Sequence, residues 1–215
     1  MNRFPVPSAL ALALALALAL AGCASQPDRY YTLASPAGAT SAPTASAGSA
    51  GSASATFIEV APVAMPERLA RPQMVVRQPG DASAEVKLLE KHRWTSSFES
   101  ELRDALASQI AAQLGAVDVT TGGRQPGTPA WRIAVQLRQF DAVENTRVDA
   151  AFGWTVRRAD ADRSAACAWS GSAAVGPGID ALAQGARSVT ADASAAIARH
   201  VASLQANPAA GCPAG

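Results

Sequence analysis

Histidine and cysteine are scarce in this chain, and the few that exist do not gather. The two histidines are His92 and His200, and the three cysteines are Cys23, Cys167 and Cys212. No two of His92, His200, Cys167 and Cys212 stand at ligand spacing, so no metal centre is expected. A phosphate-cradling loop is missing too, because Gly122-Gly123 lacks a following Lys-Ser or Lys-Thr. Trp169-Ser170-Gly171-Ser172 departs from the nucleophile-elbow pattern Gly-x-Ser-x-Gly. Asp160 and Asp162 are a carboxylate pair of the kind that sits in a turn. Cys167 and His200 can be imagined as nucleophile and base, but a cysteine on an alternating strand is more often core or disulfide. His92 sits in the charged run Lys91-His92-Arg93 and is expected at the surface, and His200 is expected at the solvent edge of the last helix. These absences lower the prospect of an enzyme.

Excess charge of one sign is also missing. The chain of 215 residues holds 18 basic and 17 acidic side chains. A balance this even leaves no electrostatic footprint for nucleic acid or for an anionic membrane surface. Aromatics make up only 5% of the residues, yet four are tryptophans: Trp94, Trp131, Trp154 and Trp169. Four tryptophans in strand-like contexts read as packing anchors.

A long apolar run occurs at the start. Arg3 is followed by a stretch at 9–21 made only of Ala and Leu, and then by Gly22-Cys23. The run falls short of the about 20 residues that a spanning helix needs. A positive start, a short apolar core and small residues before a cut describe a signal peptide. Leu20-Ala21-Gly22-Cys23 resembles a bacterial lipobox. Residues 1–22 are then removed, and Cys23 carries a diacylglycerol and a fatty acyl group as the lipid anchor. Ala24 and Ser25 lack the aspartate that commonly retains lipoproteins at the inner membrane, which points to the outer membrane. In that exported setting Cys167 and Cys212 are the two thiols left, and a bridge between them is one option.

Residues 34–55 contain only Ala, Ser, Gly, Thr and Pro. Such a segment buries too little apolar surface to offset its ordering entropy. It reads as a flexible tether, and the whole span 23–56 as the lipidated N-terminus plus tether. A coil of that length reaches roughly 30 Å. Within it Arg29-Tyr30-Tyr31-Thr32-Leu33 reads either as a short strand that clips onto the domain or as a patch without structure.

The folded part is expected over 57–205, with a tail at 206–215. Residues 57–63 make a first strand closed by prolines, and 73–77 and 85–89 are strand candidates. Ser96 and Glu99 are spaced as a capping box. Phe98, Leu102, Leu106, Ile110 and Leu114 then recur as a helical stripe, and Gly115 supplies its stop. Three alternating strands follow near 131–137, 148–156 and 165–173, joined by short polar connections. A final helix over about 180–204 carries Leu182, Ala186, Val189, Ala193, Ile197, Val201 and Leu204 on one face. This order predicts an α+β fold, with two helices packed on one face of a mostly antiparallel sheet.

The opening of the folded part carries more than composition does. Ile58-Glu59-Val60-Ala61-Pro62-Val63, Met65-Pro66-Glu67-Arg68-Leu69 and Arg71-Pro72-Gln73-Met74-Val75-Val76-Arg77 resemble the start of the ABC-type transport auxiliary lipoproteins, the PqiC-like family. Tyr30-Tyr31-Thr32-Leu33, Trp94, Phe140-Asp141, Trp154 and the Ala-rich last helix agree with that pattern. Thr95-Ser96-Ser97-Phe98 departs from it, since the family commonly has a small residue, an acid, Pro and Leu after the tryptophan. The resemblance implies a non-catalytic outer-membrane lipoprotein that faces the periplasm of a Gram-negative envelope and helps maintain it. Its partners would be an MCE-domain periplasmic protein and the associated ABC transporter in intermembrane lipid transport, with the chain itself a homo-oligomer, ring-like in form. Arg71, Pro72 and Gln73 have two readings. Pro72 shapes the entry to a strand, or Arg71 and Gln73 donate hydrogen bonds to a partner. Two other readings stand beside the family one: a lipid-anchored periplasmic hydrolase using Ser170 or Cys167, and a stand-alone lipid-binding lipoprotein with an apolar cavity.

Overall fold

The computed structural model describes residues 27–34, 55–80, 84–123, 127–158, 160 and 164–213. Eight strands and two α-helices run in the order β1 (Arg29–Tyr31), β2 (Phe57–Val60), β3 (Gln73–Val76), β4 (Lys87–Trp94), α1 (Phe98–Leu114), β5 (Val117–Asp118), β6 (Trp131–Val143), β7 (Arg147–Arg158), β8 (Ser164–Ala174) and α2 (Ile179–Ala206). The strands form a five-stranded sheet, β5-β2-β6-β7-β8, and a three-stranded sheet, β1-β4-β3. The fold is α+β, and both sheets are mixed.

The alternation of β6, β7 and β8 produces an antiparallel meander. Ile133, Val135, Leu137, Val148, Ala150, Phe152, Trp154 and Val156 fill its inner face. Arg132, Gln136, Thr155 and Arg157 stay wet on the other. A bulge after Leu137 resets the alternation, so the strand continues and turns Phe140 and Ala142 toward the core. Asn145 makes the β6–β7 turn at φ 55°, a left-handed conformation that asparagine tolerates. The two helices cover the inner face: α1 lies on β2 and β5, and α2 on β6, β7 and β8. All seven apolar residues of the expected α2 stripe are buried. Among the described residues no helix is long and apolar enough to cross a bilayer.

The parallel pairings carry no alternation signal. β2 lies parallel to both β5 and β6, and β1 lies parallel to β4. After β2 the chain follows β6 as far as Ala64, and Arg77 pairs with Val143 at the far end of β6. One long strand therefore joins the two sheets. β4 extends further than its apolar residues suggest, because it has ladder partners on both sides. At its surface Lys91 lies 3.2 Å from Asp28.

α1 is capped by Ser97, whose Oγ accepts from the Ser100 N–H at 3.1 Å. This corrects the capping box expected from Ser96. Glu99 instead accepts the Val63 N–H at 2.8 Å, holding the segment that follows β2. Gly115 ends the helix in the left-handed region at φ 58°.

Candidate functional site

Arg71-Pro72-Gln73 lies where β3, β4 and α1 meet. Its backbone makes three hydrogen bonds: the Arg71 N–H donates to Leu69 O at 2.7 Å, Arg71 O accepts the Phe98 N–H at 3.3 Å, and Pro72 O accepts the Trp94 N–H at 2.7 Å. The segment thus closes the end of β4 and one of the free donors at the start of α1. Beneath it Trp94 stacks on Phe98 at 5.2 Å, and Phe98 tilts against Phe140 at 4.9 Å. Arg71 and Pro72 are exposed, and Gln73 is half-buried. The Arg71 guanidinium makes no hydrogen bond or ion pair among the described residues. The shaping role and the donor role therefore use different atoms, the backbone for one and the side chain for the other.

Beside this corner a buried carboxylate fastens the N-terminal clip. Glu101, in the first turn of α1, is 8% exposed. Its Oε2 accepts from Thr32 Oγ1 at 2.8 Å and from the Leu33 N–H at 2.9 Å. Its Oε1 accepts from Thr95 and Ser96. The position is favourable for an anion, since the helix N-terminus carries partial positive charge. Leu33 is fully buried, worth about 1.5–3 kcal/mol of apolar transfer. Tyr31 Oη lies 2.9 Å from His92 Nδ1, and Arg29 donates to Asp180 at 3.0 Å. His92 is thus half-buried against the clip and not a surface residue. Burial pushes the Tyr31 phenol up to about 12, with the Asp180 carboxylate adding to the effect. Hydrogen bonding to Tyr31, and the charge of Arg29 beside it, hold Asp180 below its ordinary value.

At the other end of α2 lie the two remaining cysteines. Cys167 Sγ is bonded to Cys212 Sγ at 2.09 Å, tying the C-terminal segment to β8. His200 corrects the expectation of a solvent-edge residue: it is completely buried. Its Nδ1 accepts the Trp154 indole N–H at 3.0 Å, so the neutral ring carries its proton on Nε2. That nitrogen faces Cys167 Sγ at 3.6 Å. Burial lowers the His200 pKa and keeps the ring neutral. The cysteine and histidine named as a possible catalytic pair do meet, but the sulfur is held in the disulfide, and a nucleophile needs a thiolate. Ser170 is exposed on β8.

Among the described residues the space between sheet and helices is packed with apolar side chains. The void bounded by Met74, Trp94, Phe98, Phe140, Leu182 and Ala186 measures about 10 Å³, at most one water and no acyl chain. Two open surface grooves, about 460 and 550 Å³, flank Trp131 and Arg158 near the end of α2. Arg158 there is paired with Asp160 at 2.8 Å. Cys23 lies outside the described residues.

The α+β fold is shared with known structures. A crystal structure of an uncharacterized protein superposes with a TM-score of 0.62 at 18% identity, covering 82% of this chain and 99% of that one. A Xanthomonas campestris protein of the DUF330 family gives a TM-score of 0.50 at 12% identity, over 65% of this chain and 78% of the other. At such identities the likeness speaks for the fold. Among curated proteins, none matches this chain. The sequence profile of the ABC-type transport auxiliary lipoprotein component matches residues 31–198, and the chain belongs to that family.

Sequence reasoning missed Glu101. Its signal is an acid on the inner side of the α1 stripe, next to Leu102.

Proposed function

We propose that this chain is a non-catalytic lipoprotein of the outer membrane, anchored through Cys23 and facing the periplasm. It serves an ABC transporter and its MCE-domain periplasmic protein in moving lipid between the two membranes, and so supports envelope integrity. The observation that carries this reading is the family membership over residues 31–198, together with an arginine left free at the corner the family pattern marks. Arg71 offers a fork of donors suited to bidentate contact with a carboxylate. It is the residue we assign to contact with the MCE-domain protein or with a neighbouring copy in a ring. Pro72 and Gln73 hold it in place. The filled interior gives no support to a lipid carrier, and the bonded Cys167 gives none to a thiol hydrolase.

The anchor is tested by Cys23→Ser in full-length protein. Loss from the membrane fraction and loss of acyl labelling are expected. Normal processing with retention in the membrane would overturn the anchor. Turnover of an ester or peptide substrate by the purified wild-type protein would overturn the non-catalytic reading.

A further inference from the structure

We propose that the β1 corner, made by Tyr30 with Lys91 and Arg93 of β4, rests on the surface of the lipid bilayer. This rests on the proposed lipidation of Cys23. The clip returns to the fold at Asp28, which pairs with Lys91 at 3.2 Å. From there to Leu33 the chain is held by a ladder to β4, by Glu101 and by the burial of Leu33. Only the stretch from Cys23 to Asp28 separates the acyl chains from the docked strand. Fully extended, it spans at most about 18 Å. The Ala-rich segment at 34–55 begins beyond the clip, at Leu33, and ends at Thr56, where Gln205 at the end of α2 donates to Thr56 Oγ1 at 3.3 Å. It therefore joins two points of the domain and does not set the distance to the membrane.

This geometry selects a face. β1 is an edge strand of its sheet. Tyr31 turns inward to His92, so the alternating side chain of Tyr30 turns outward, where it is 61% exposed. Arg93 of β4 is the ladder partner of Tyr30, and Lys91 is the next residue on the same face. The two share the Asp28 carboxylate, and an exposed tyrosine beside them suits the headgroup layer, where an amphipathic ring and basic side chains are both stable. Val117 on β5 marks the far end. α1 runs from the clip to β5 and is about 25 Å long at 1.5 Å per residue, so Val117 stands away from the lipid.

The test uses full-length lipidated protein in phosphatidylethanolamine–phosphatidylglycerol vesicles carrying nitroxide headgroup lipid. Tyr30→Cys and Val117→Cys are each labelled with a polarity-sensitive fluorophore, and unsubstituted protein serves as the labelling blank. Loss of emission at position 30 with unchanged emission at 117 is expected. Inserting a Gly/Ser segment as long as 34–55 between Ala24 and Ser25 should restore emission at 30, and deleting 36–53 should leave the quenching in place. Protein that floats with the vesicles but shows no quenching at 30 overturns this proposal and leaves the anchor intact. Equal quenching at 30 and 117 also overturns it, as does a blue shift at 30 without quenching, which means protein covers that corner. Protein that fails to float at all refutes the lipidation instead.

Discussion

The two ends of this domain are closed by different chemistry. At the start of both helices a carboxylate and a leucine fasten an N-terminal clip, through a bond between residues 68 apart in sequence. Near the end of α2 a covalent bond fastens the C-terminal segment across a separation of 45 residues, backed by the Trp154–His200 hydrogen bond. The first closure uses the positive end of a helix and one buried side chain, so a single substitution opens it. The second is indifferent to such a change in its surroundings but is opened by reductant. A small Ala-rich core has to hold loose termini somehow, and here each end does so with the residues at hand.

Reducing the Cys167–Cys212 bond is the strongest way to separate the two closures. On the chain-entropy account it removes about 4 kcal/mol. Denaturant unfolding with and without reductant reads this directly, and a thiol count on the unreduced, denatured protein should find neither cysteine free. An unchanged midpoint would mean that the C-terminal closure contributes nothing. Glu101→Ala opens the other end. It leaves the Leu33 N–H buried without its acceptor, for an expected loss of about 2–3 kcal/mol. Cleavage at Arg29 by trypsin should also become fast under native conditions, while the disulfide stays intact. Slow cleavage in that variant would show that Leu33 alone holds the clip.

Titration distinguishes the ends more gently. His200 is kept neutral in the fold, whereas the unfolded chain takes up a proton near the ordinary value of 6.5. The unfolded state then binds more protons, so stability falls as pH drops below that value. Tyr31 has the opposite sign. The unfolded phenol loses its proton near 10.0, while the folded one keeps it to about 12. Stability is full below the first value and lost as pH rises through the second. Melting temperature against pH should show both limbs. His200→Gln should flatten the acid limb and Tyr31→Phe the alkaline one. A swap of those assignments, or no change in either, would contradict the two-ended picture. The smallest effect is expected from Arg71→Ala, whose exposed side chain should move stability by no more than about 0.5 kcal/mol.

Much of this arrangement can be read from the residues. The meander of β6, β7 and β8 follows from strict alternation, and α2 from an unbroken stripe that ends where Leu204 does. The ending of α1 at Gly115 follows from its conformational freedom. Other parts have no local signal. β1 and β2 are short, and their parallel partners lie far along the chain, so nothing in Phe57-Ile58-Glu59-Val60 says which strand it joins. The reset after Leu137 is a backbone event that composition does not mark. His200 looks like a flank residue on a helical wheel; it is buried because Trp154 offers an indole donor from β7, a contact that exists only in three dimensions. The Arg71-Pro72-Gln73 corner was legible as a turn into a strand. Its use as a cap for α1 depends on β4 and α1 meeting there.

Whether this domain serves a transporter is tested most directly by capture of the MCE-domain protein. Full-length lipidated protein, solubilised from membranes, should retain the MCE-domain protein and its transporter. Arg71→Ala, still folded and still anchored, should lose it, since truncating a buried charged contact costs about 2–5 kcal/mol. Equal retention by wild type and Arg71→Ala would assign the arginine to shape alone. No transporter component with the wild-type protein would contradict the account.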